Sequence, residues 1–159
     1  MSAVEDRLAE LGLTVPEVAA PVAAYVPAQR DGRRIYTSGQ LPMVSGSLAA
    51  TGKVGEGEGL VSPDRAKELA QTCALNAIAA VKSVVGDLDQ VGQVVKVVGF
   101  VASDPSFTGQ PGVINGASEL LGKAFGDAGI HARSAVGVAV LPLDAPVEVE
   151  ITVALREDD

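Results

Sequence analysis

Between Ser62 and Gly86 the chain encodes one long amphipathic helix whose apolar stripe is built largely from small side chains. Ser62 is a natural N-cap, Pro63 suits the first helical position, and Asp64 sits at the positive end of the helix dipole. Ala66, Leu69, Ala70, Cys73, Ala74, Ala77, Ile78, Val81 and Val85 then recur on one face, and Gly86 is the stop. Such a low-profile stripe lets a helix lie close against a sheet. Cys73 falls on it and reads as a core residue. The near-continuous apolar run Val94–Ala102 reads as the central strand that this helix would cover.

The remaining elements fit around that pair. Ser2 and Glu5 form a possible capping box ahead of Val4, Leu8 and Leu11, so a short peripheral helix is expected over about residues 2–12. A strand is expected from Val22 to Ala28 around Tyr25. Asp31-Gly32 marks a tight turn, and Arg34–Leu41 forms the returning strand. Residues 42–60 are rich in Gly, Ser and Ala and read as a long loop, a kind of segment that often carries function. A second helix is expected over 112–125, with Val113, Leu120, Leu121 and Phe125 inward. Strands Arg133–Leu141 and Val147–Leu155 would close the chain as a hairpin around a Pro-bounded turn. The order β-β-α-β-α-β-β predicts an α+β fold: one domain over residues 1–159, with a mixed sheet and both long helices on one face. The other sheet face would be bare, which predicts oligomerisation through it.

Composition limits the function classes. With 3% aromatics and no Trp, the core must be Val, Ala, Leu and Ile. A net charge of −8 argues against nucleic-acid phosphates and anionic membrane surfaces as partners. No run approaches the roughly 20 apolar residues of a membrane span, and the acidic, polar N-terminus lacks a secretory layout. A lone Cys73 excludes an intrachain disulfide, and a cytoplasmic setting is expected. One histidine, His131, and one cysteine make a poor zinc set, so a metal is not expected.

The tail from His131 to Glu150 carries the chemistry. Arg133 opens one strand and can clamp a carboxylate bidentately, or pair structurally with Glu148 or Asp144. Glu148 and Glu150 share one strand face, either solvated or, if buried, able to polarise a water. Strand ends can bring Arg133 and Glu148 close in space. Ser38-Gly39 ends a strand where glycine lets backbone amides approach a ligand, with a simple bulge as the alternative. Asn115, early in the second helix, is either a cap or a ligand contact. Tyr25 suits packing and ligand contact equally. Gly55-Glu56-Gly57-Glu58-Gly59 mimics a phosphate loop, but its two acids would repel phosphate and the Lys-Ser/Thr ending is missing.

Together, Tyr25, Ile35-Tyr36-Thr37-Ser38-Gly39-Gln40-Leu41-Pro42, Asn115, Ala132-Arg133-Ser134 and Leu141-Pro142 with Val147-Glu148-Val149-Glu150 resemble the RidA/YjgF/YER057c/UK114 family, also labelled endoribonuclease L-PSP. The likeness runs from about Tyr25 to Leu155. The "HARSAVGVA-LPL" tail and the "VINGASELL" helix resemble its longer branch. The resemblance implies a chorismate-mutase-like fold assembled as a homotrimer, with sheets inside, helices outside and clefts between subunits. It also implies hydrolysis of reactive enamines and imines such as 2-aminoacrylate to 2-oxo acids and ammonia, without a cofactor. Arg133 would grip the substrate carboxylate and Glu148 would lie by the attacking water. Tyr25, Ser38, Gly39 and Asn115 would line the cleft, and Ala135 would contribute backbone contact.

This chain departs from the family pattern at Ala135, where many members carry cysteine, at Ala24-Tyr25-Val26-Pro27, and in the longer loop from Met43 to Leu60. These changes border the expected pocket and point to a different substrate. The competing functions are a non-catalytic trimer that binds small carboxylates, an endoribonuclease, and a ring-opening amidohydrolase or carbamate-type deaminase.

Overall fold

A computed structural model describes residues 1–21 and 23–157. Helix α1 (Ala3–Glu10) is followed by strands β1 (Ala28–Asp31) and β2 (Arg34–Thr37), a small hairpin of β3 (Met43–Val44) and β4 (Ser47–Leu48), and helix α2 (Pro63–Val85). Strand β5 (Val91–Ala102), helix α3 (Gln110–Phe125) and strands β6 (Ala132–Val138) and β7 (Val147–Leu155) complete the chain. The main sheet has the order β1-β2-β7-β5-β6, antiparallel except for the parallel β5–β6 pair. Among the described residues no helix is long and apolar enough to cross a membrane.

The caps set α2 as the sequence predicts. The Ser62 side chain accepts from Arg65 N–H, Pro63 stands in the first turn, and Gly86 ends the helix at φ 75°. Every residue of its expected stripe is buried except the half-buried Val85. Helix α3 crosses it where Gly116 meets the Lys67 backbone. A Cβ at Gly116 would lie 2.0 Å from the Lys67 carbonyl oxygen, so the small residue fixes the spacing between the helices. Both helices cover one face of the sheet, against Ile35, Val97, Val101, Val147, Val149, Ile151 and Val153. The opposite face carries Tyr36, Val98, Phe100, Val136, Glu148 and Glu150, all half-buried or exposed.

Three local expectations are corrected. The C-terminal strands are not a hairpin: β5 lies between β7 and β6. Strand β7 alternates buried and half-buried residues strictly and suits the sheet centre, whereas Ala132, Ser134, Val136 and Gly137 leave β6 fit only for an edge. Parallel neighbours also need a crossover, which α3 supplies. The expected strand 22–28 begins only at Ala28 (Val22 lies outside the described residues). Pro27 has no N–H for a ladder, and its carbonyl instead accepts from Ser38 N–H at 2.8 Å. The returning strand stops at Thr37 rather than Leu41, because Ser38-Gly39 bulges out before Gln40 re-pairs with Val149. The loop 42–60 is tied down by Val54, fully buried, which bridges to Val61 and Ser103.

Helix α1 is firmly docked. Its capping box is complete, Asp89 accepts from Ala3 and Val4 N–H, Leu8 is fully buried, and Glu5 pairs with Lys82 of α2. The Lys82 ammonium and the Ser2 donors hold the Glu5 carboxyl down to about 2 from its usual 4.5. A depressed carboxylate contributes stability that is present above about pH 4.5 and lost as pH falls towards 2. Lys82 is partly exposed, so Glu5→Gln is expected to cost only about 1 kcal/mol at neutral pH after solvent screening. Wild type and variant should converge in chemical denaturation measured near pH 2.

Candidate functional site

Glu148 lies second in β7, level with Phe100 of β5, and alternation places it on the open face. The Ser38-Gly39 bulge passes directly over its carboxyl: a Cβ on Gly39 would sit 2.1 Å from Glu148 Oε1. Burial raises the Glu148 pKa above its ordinary value, and the nearby Glu150 charge raises it further. Among the described residues no cation lies within ion-pair distance of it. Glu148 and Gly39 line a cleft of about 50 Å³ together with Tyr25, Pro27, Leu41, Met43, Pro142 and the segment Ala19–Pro21. Tyr25 is 44% exposed in its wall. Ser38 supports the wall, its hydroxyl donating to the Val26 carbonyl at 2.6 Å.

Arg133 belongs to a different neighbourhood. It pairs in register with Val97, whose side chain is in the core, so it faces α3 rather than the open side. Its Nη1 donates to Ser118 Oγ at 3.2 Å and its Nη2 to the Pro111 carbonyl at 3.0 Å. Pro111, Asn115 and Ser118 recur at helical spacing on one face of α3, so Asn115 stands between the two anchors of the guanidinium. Asn115 is not a helix cap, because the N-cap is Gly109. Nor does Arg133 pair with Glu148 or Asp144: among the described residues no carboxylate is within ion-pair distance of it. Two of the five guanidinium donors are engaged by α3, which leaves donors for a ligand carboxylate. Ala135, level with Gly99, packs its methyl towards the core, so only its edge-strand backbone could meet a ligand.

The candidate residues therefore form two half-sites. Tyr25, Ser38, Gly39 and Glu148 converge around the cleft, while Arg133 and Asn115 converge beside α3. The expected proximity of Arg133 and Glu148 within one chain is not met, because β5 intervenes and the two side chains take opposite faces. Sequence reasoning missed Ser118 and His131 as neighbours of Arg133. The i, i+3 spacing from Asn115 to Ser118 and the i, i+2 spacing from His131 to Arg133 were the available signals. It also missed the Ala19–Pro21 wall, flagged only by its proline. A larger groove of about 780 Å³ lies between residues 12–20, the β3–β4 hairpin and Thr72, Leu75 and Asn76 of α2, but it contains none of the candidates. Asn76 there is spent on the Leu41 and Met43 carbonyls.

The same chain organisation recurs in known proteins. Protein TCP17 of Trypanosoma cruzi is 42% identical over 96% of this chain and 94% of its own length. The crystal structure of the Agrobacterium tumefaciens protein Atu1372, of unknown function, superposes with a TM-score of 0.88 at 44% identity, covering 97% of this chain and 93% of that one. A structure described as a putative endoribonuclease from Shewanella oneidensis gives a TM-score of 0.91 at 33% identity, over 96% and 99% of the two chains. Residues 5–155 match the family described as YjgF/chorismate mutase-like, putative endoribonuclease, and the chain belongs to that family.

Proposed function

We propose that this protein hydrolyses small imines and enamines that carry a carboxylate, releasing a 2-oxo acid and ammonia. The observation that carries the reading is the half-buried Glu148 carboxyl, held against Gly39 with its pKa raised and, among the described residues, no cation beside it. Burial and the Glu150 charge make this carboxyl hold its proton more tightly than a free one, the direction a general acid and base needs. A homotrimer supplies the rest: the Arg133–Asn115 half-site, beside the edge strand β6 of one subunit, meets the Glu148 half-site on the open sheet face of the next. The composition of the cleft in one chain supports this, because among the described residues its lining holds Glu148 but no cation to meet a substrate carboxylate.

In the proposed reaction Arg133 neutralises the carboxylate and orients the substrate. An enamine first tautomerises to the imine by protonation at its terminal carbon. Water then adds to the imine carbon while Glu148 takes one of its protons, so that C=N becomes C–N beside a new C–O bond. Glu148 returns that proton to nitrogen, giving a carbinolamine; it then takes the hydroxyl proton and passes it to the same nitrogen, so that the C–N bond breaks as C=O forms and ammonia leaves. Positioning and charge placement supply most of the acceleration.

The test is ammonia release from 2-aminoacrylate generated in situ by a pyridoxal-phosphate dehydratase acting on serine. The wild type is expected to accelerate it, and Glu148→Gln to lose at least about 100-fold. Gly39→Ala is expected to lose a similar factor while melting within a few degrees of wild type. Its added methyl meets the flexible Glu148 side chain and displaces the carboxyl without reaching the core. Binding of 2-oxobutanoate without acceleration would instead favour a regulatory carboxylate-binding protein. RNA degradation abolished by Glu148→Gln would favour the ribonuclease reading.

A further inference from the structure

A chain of polar groups runs behind Arg133. His131 Nδ1 lies 2.6 Å from the Gly129 carbonyl, His131 Nε2 lies 2.8 Å from Ser118 Oγ, and Ser118 Oγ lies 3.2 Å from Arg133 Nη1. For a neutral imidazole the Gly129 carbonyl assigns the roles along it. A carbonyl only accepts, so Nδ1 carries the imidazole proton. Nε2 of the neutral ring is then the acceptor, and the Ser118 hydroxyl must donate to it. With its proton committed, Ser118 Oγ presents lone pairs to the guanidinium. Every donor meets an acceptor, and the series starts at a backbone atom at the end of the turn Gly126–Gly129.

We propose that His131 and Ser118 are positioning residues that hold the Arg133 guanidinium ready for a substrate carboxylate. This rests on the reading of Arg133 as the carboxylate clamp. A free arginine side chain samples many rotamers, and ordering it on binding weakens affinity. Here the order is built in beforehand. The Pro111 carbonyl takes Nη2 and the relay takes Nη1, so the planar fork is fixed along the Pro111–Asn115–Ser118 face of α3. Ser118 hydrogen-bonds across to the sheet edge rather than back to its own helix, which is what such a relay requires of a mid-helix serine.

His131 is the only histidine in the chain, so selective ¹⁵N-histidine labelling of the intact protein reports on one ring. Its spectrum is expected to show the Nδ1-protonated tautomer, with an Nε2 resonance that moves in Ser118→Ala and in Arg133→Ala. Ser118→Ala and His131→Phe should each weaken 2-oxobutanoate binding and raise KM about tenfold with kcat and melting temperature nearly unchanged. Ser118→Thr, which keeps the hydroxyl, and His131→Gln, which keeps an acceptor at the Nε2 position, should restore affinity. The double variant Ser118→Ala/His131→Phe should be no worse than either single one. An Nε2-protonated ring, or additive losses in the double variant, would overturn the relay. If 2-oxobutanoate bound wild type and Arg133→Ala equally, the clamp reading would fail, while the tautomer and the response to Arg133→Ala would still decide whether the relay exists.

Discussion

Gly116→Ala is expected to destabilise the fold by about 2–3 kcal/mol, whereas Gly122→Ala, in the same helix, should stabilise it by about 0.5–1 kcal/mol. Alanine is the better helix former at both positions, so propensity alone predicts two gains. Space decides otherwise. At Gly122 a Cβ meets nothing within 4 Å. At Gly116 it would stand 2.0 Å from the Lys67 carbonyl oxygen and 2.9 Å from the carbonyl carbon, which are backbone atoms that no rotamer change can move. The two helices would have to separate over a core of small residues: Ala66, Ala70, Ala74, Ala77, Ala117 and Ala124 are all fully buried. Such side chains cannot extend to refill the gap, so contacts are lost along both helices. In thermal melting the variants should move in opposite directions, Gly116→Ala down by about 5–10 °C. Equal upward shifts would mean that the helices do not pack at the distance described.

The same small-residue stripe explains how much of the fold was legible. Local chemistry fixed what local chemistry governs. The caps of α2 and the period of its stripe appear where the sequence puts them, and β7 spans Val147–Leu155 as expected; the tight turn falls one residue later than Asp31-Gly32, at Gly32-Arg33, because Asp31 still pairs with Arg34. Pairing across distance was less accessible. Nothing near Leu141-Pro142 says that β7 passes β5 and enters the sheet beside β2, because a Pro-bounded turn looks the same before a hairpin and before a crossing. The site was readable to the same extent. Gly39 and Glu148 could be chosen as residue types, and they do meet. Which face Arg133 takes depends on the register that pairs it with Val97, and a shift of one residue would reverse it. Ser118 and His131 stayed hidden because each is unremarkable until the fold brings it to Arg133.

That register carries the sharpest test of the proposed site. Arg133→Ala and Glu148→Gln, each inactive alone, are expected to recover about a quarter of wild-type turnover when equal amounts are refolded together. Within one chain the two side chains cannot act on one small molecule. Glu148 is level with Phe100 and Val136, while Arg133 is level with Val97. They are thus about 10 Å apart across the strands, a further 10 Å or so along them, and on opposite faces of the sheet. A cleft shared between neighbours removes the conflict, since each site takes one half from each of two subunits. In a random mixture half of the Arg133 half-sites and half of the Glu148 half-sites are intact, and about a quarter of the pairings join two intact halves. A site confined to one chain gives none, because no chain in the mixture carries both groups. Arg133→Ala mixed with the double variant should stay silent, since neither chain supplies Arg133. Turnover near a quarter in the first mixture and zero in the second would assign the halves to different subunits. Silence in both would overturn the shared cleft, since Arg133 and Glu148 would then not act together from different subunits.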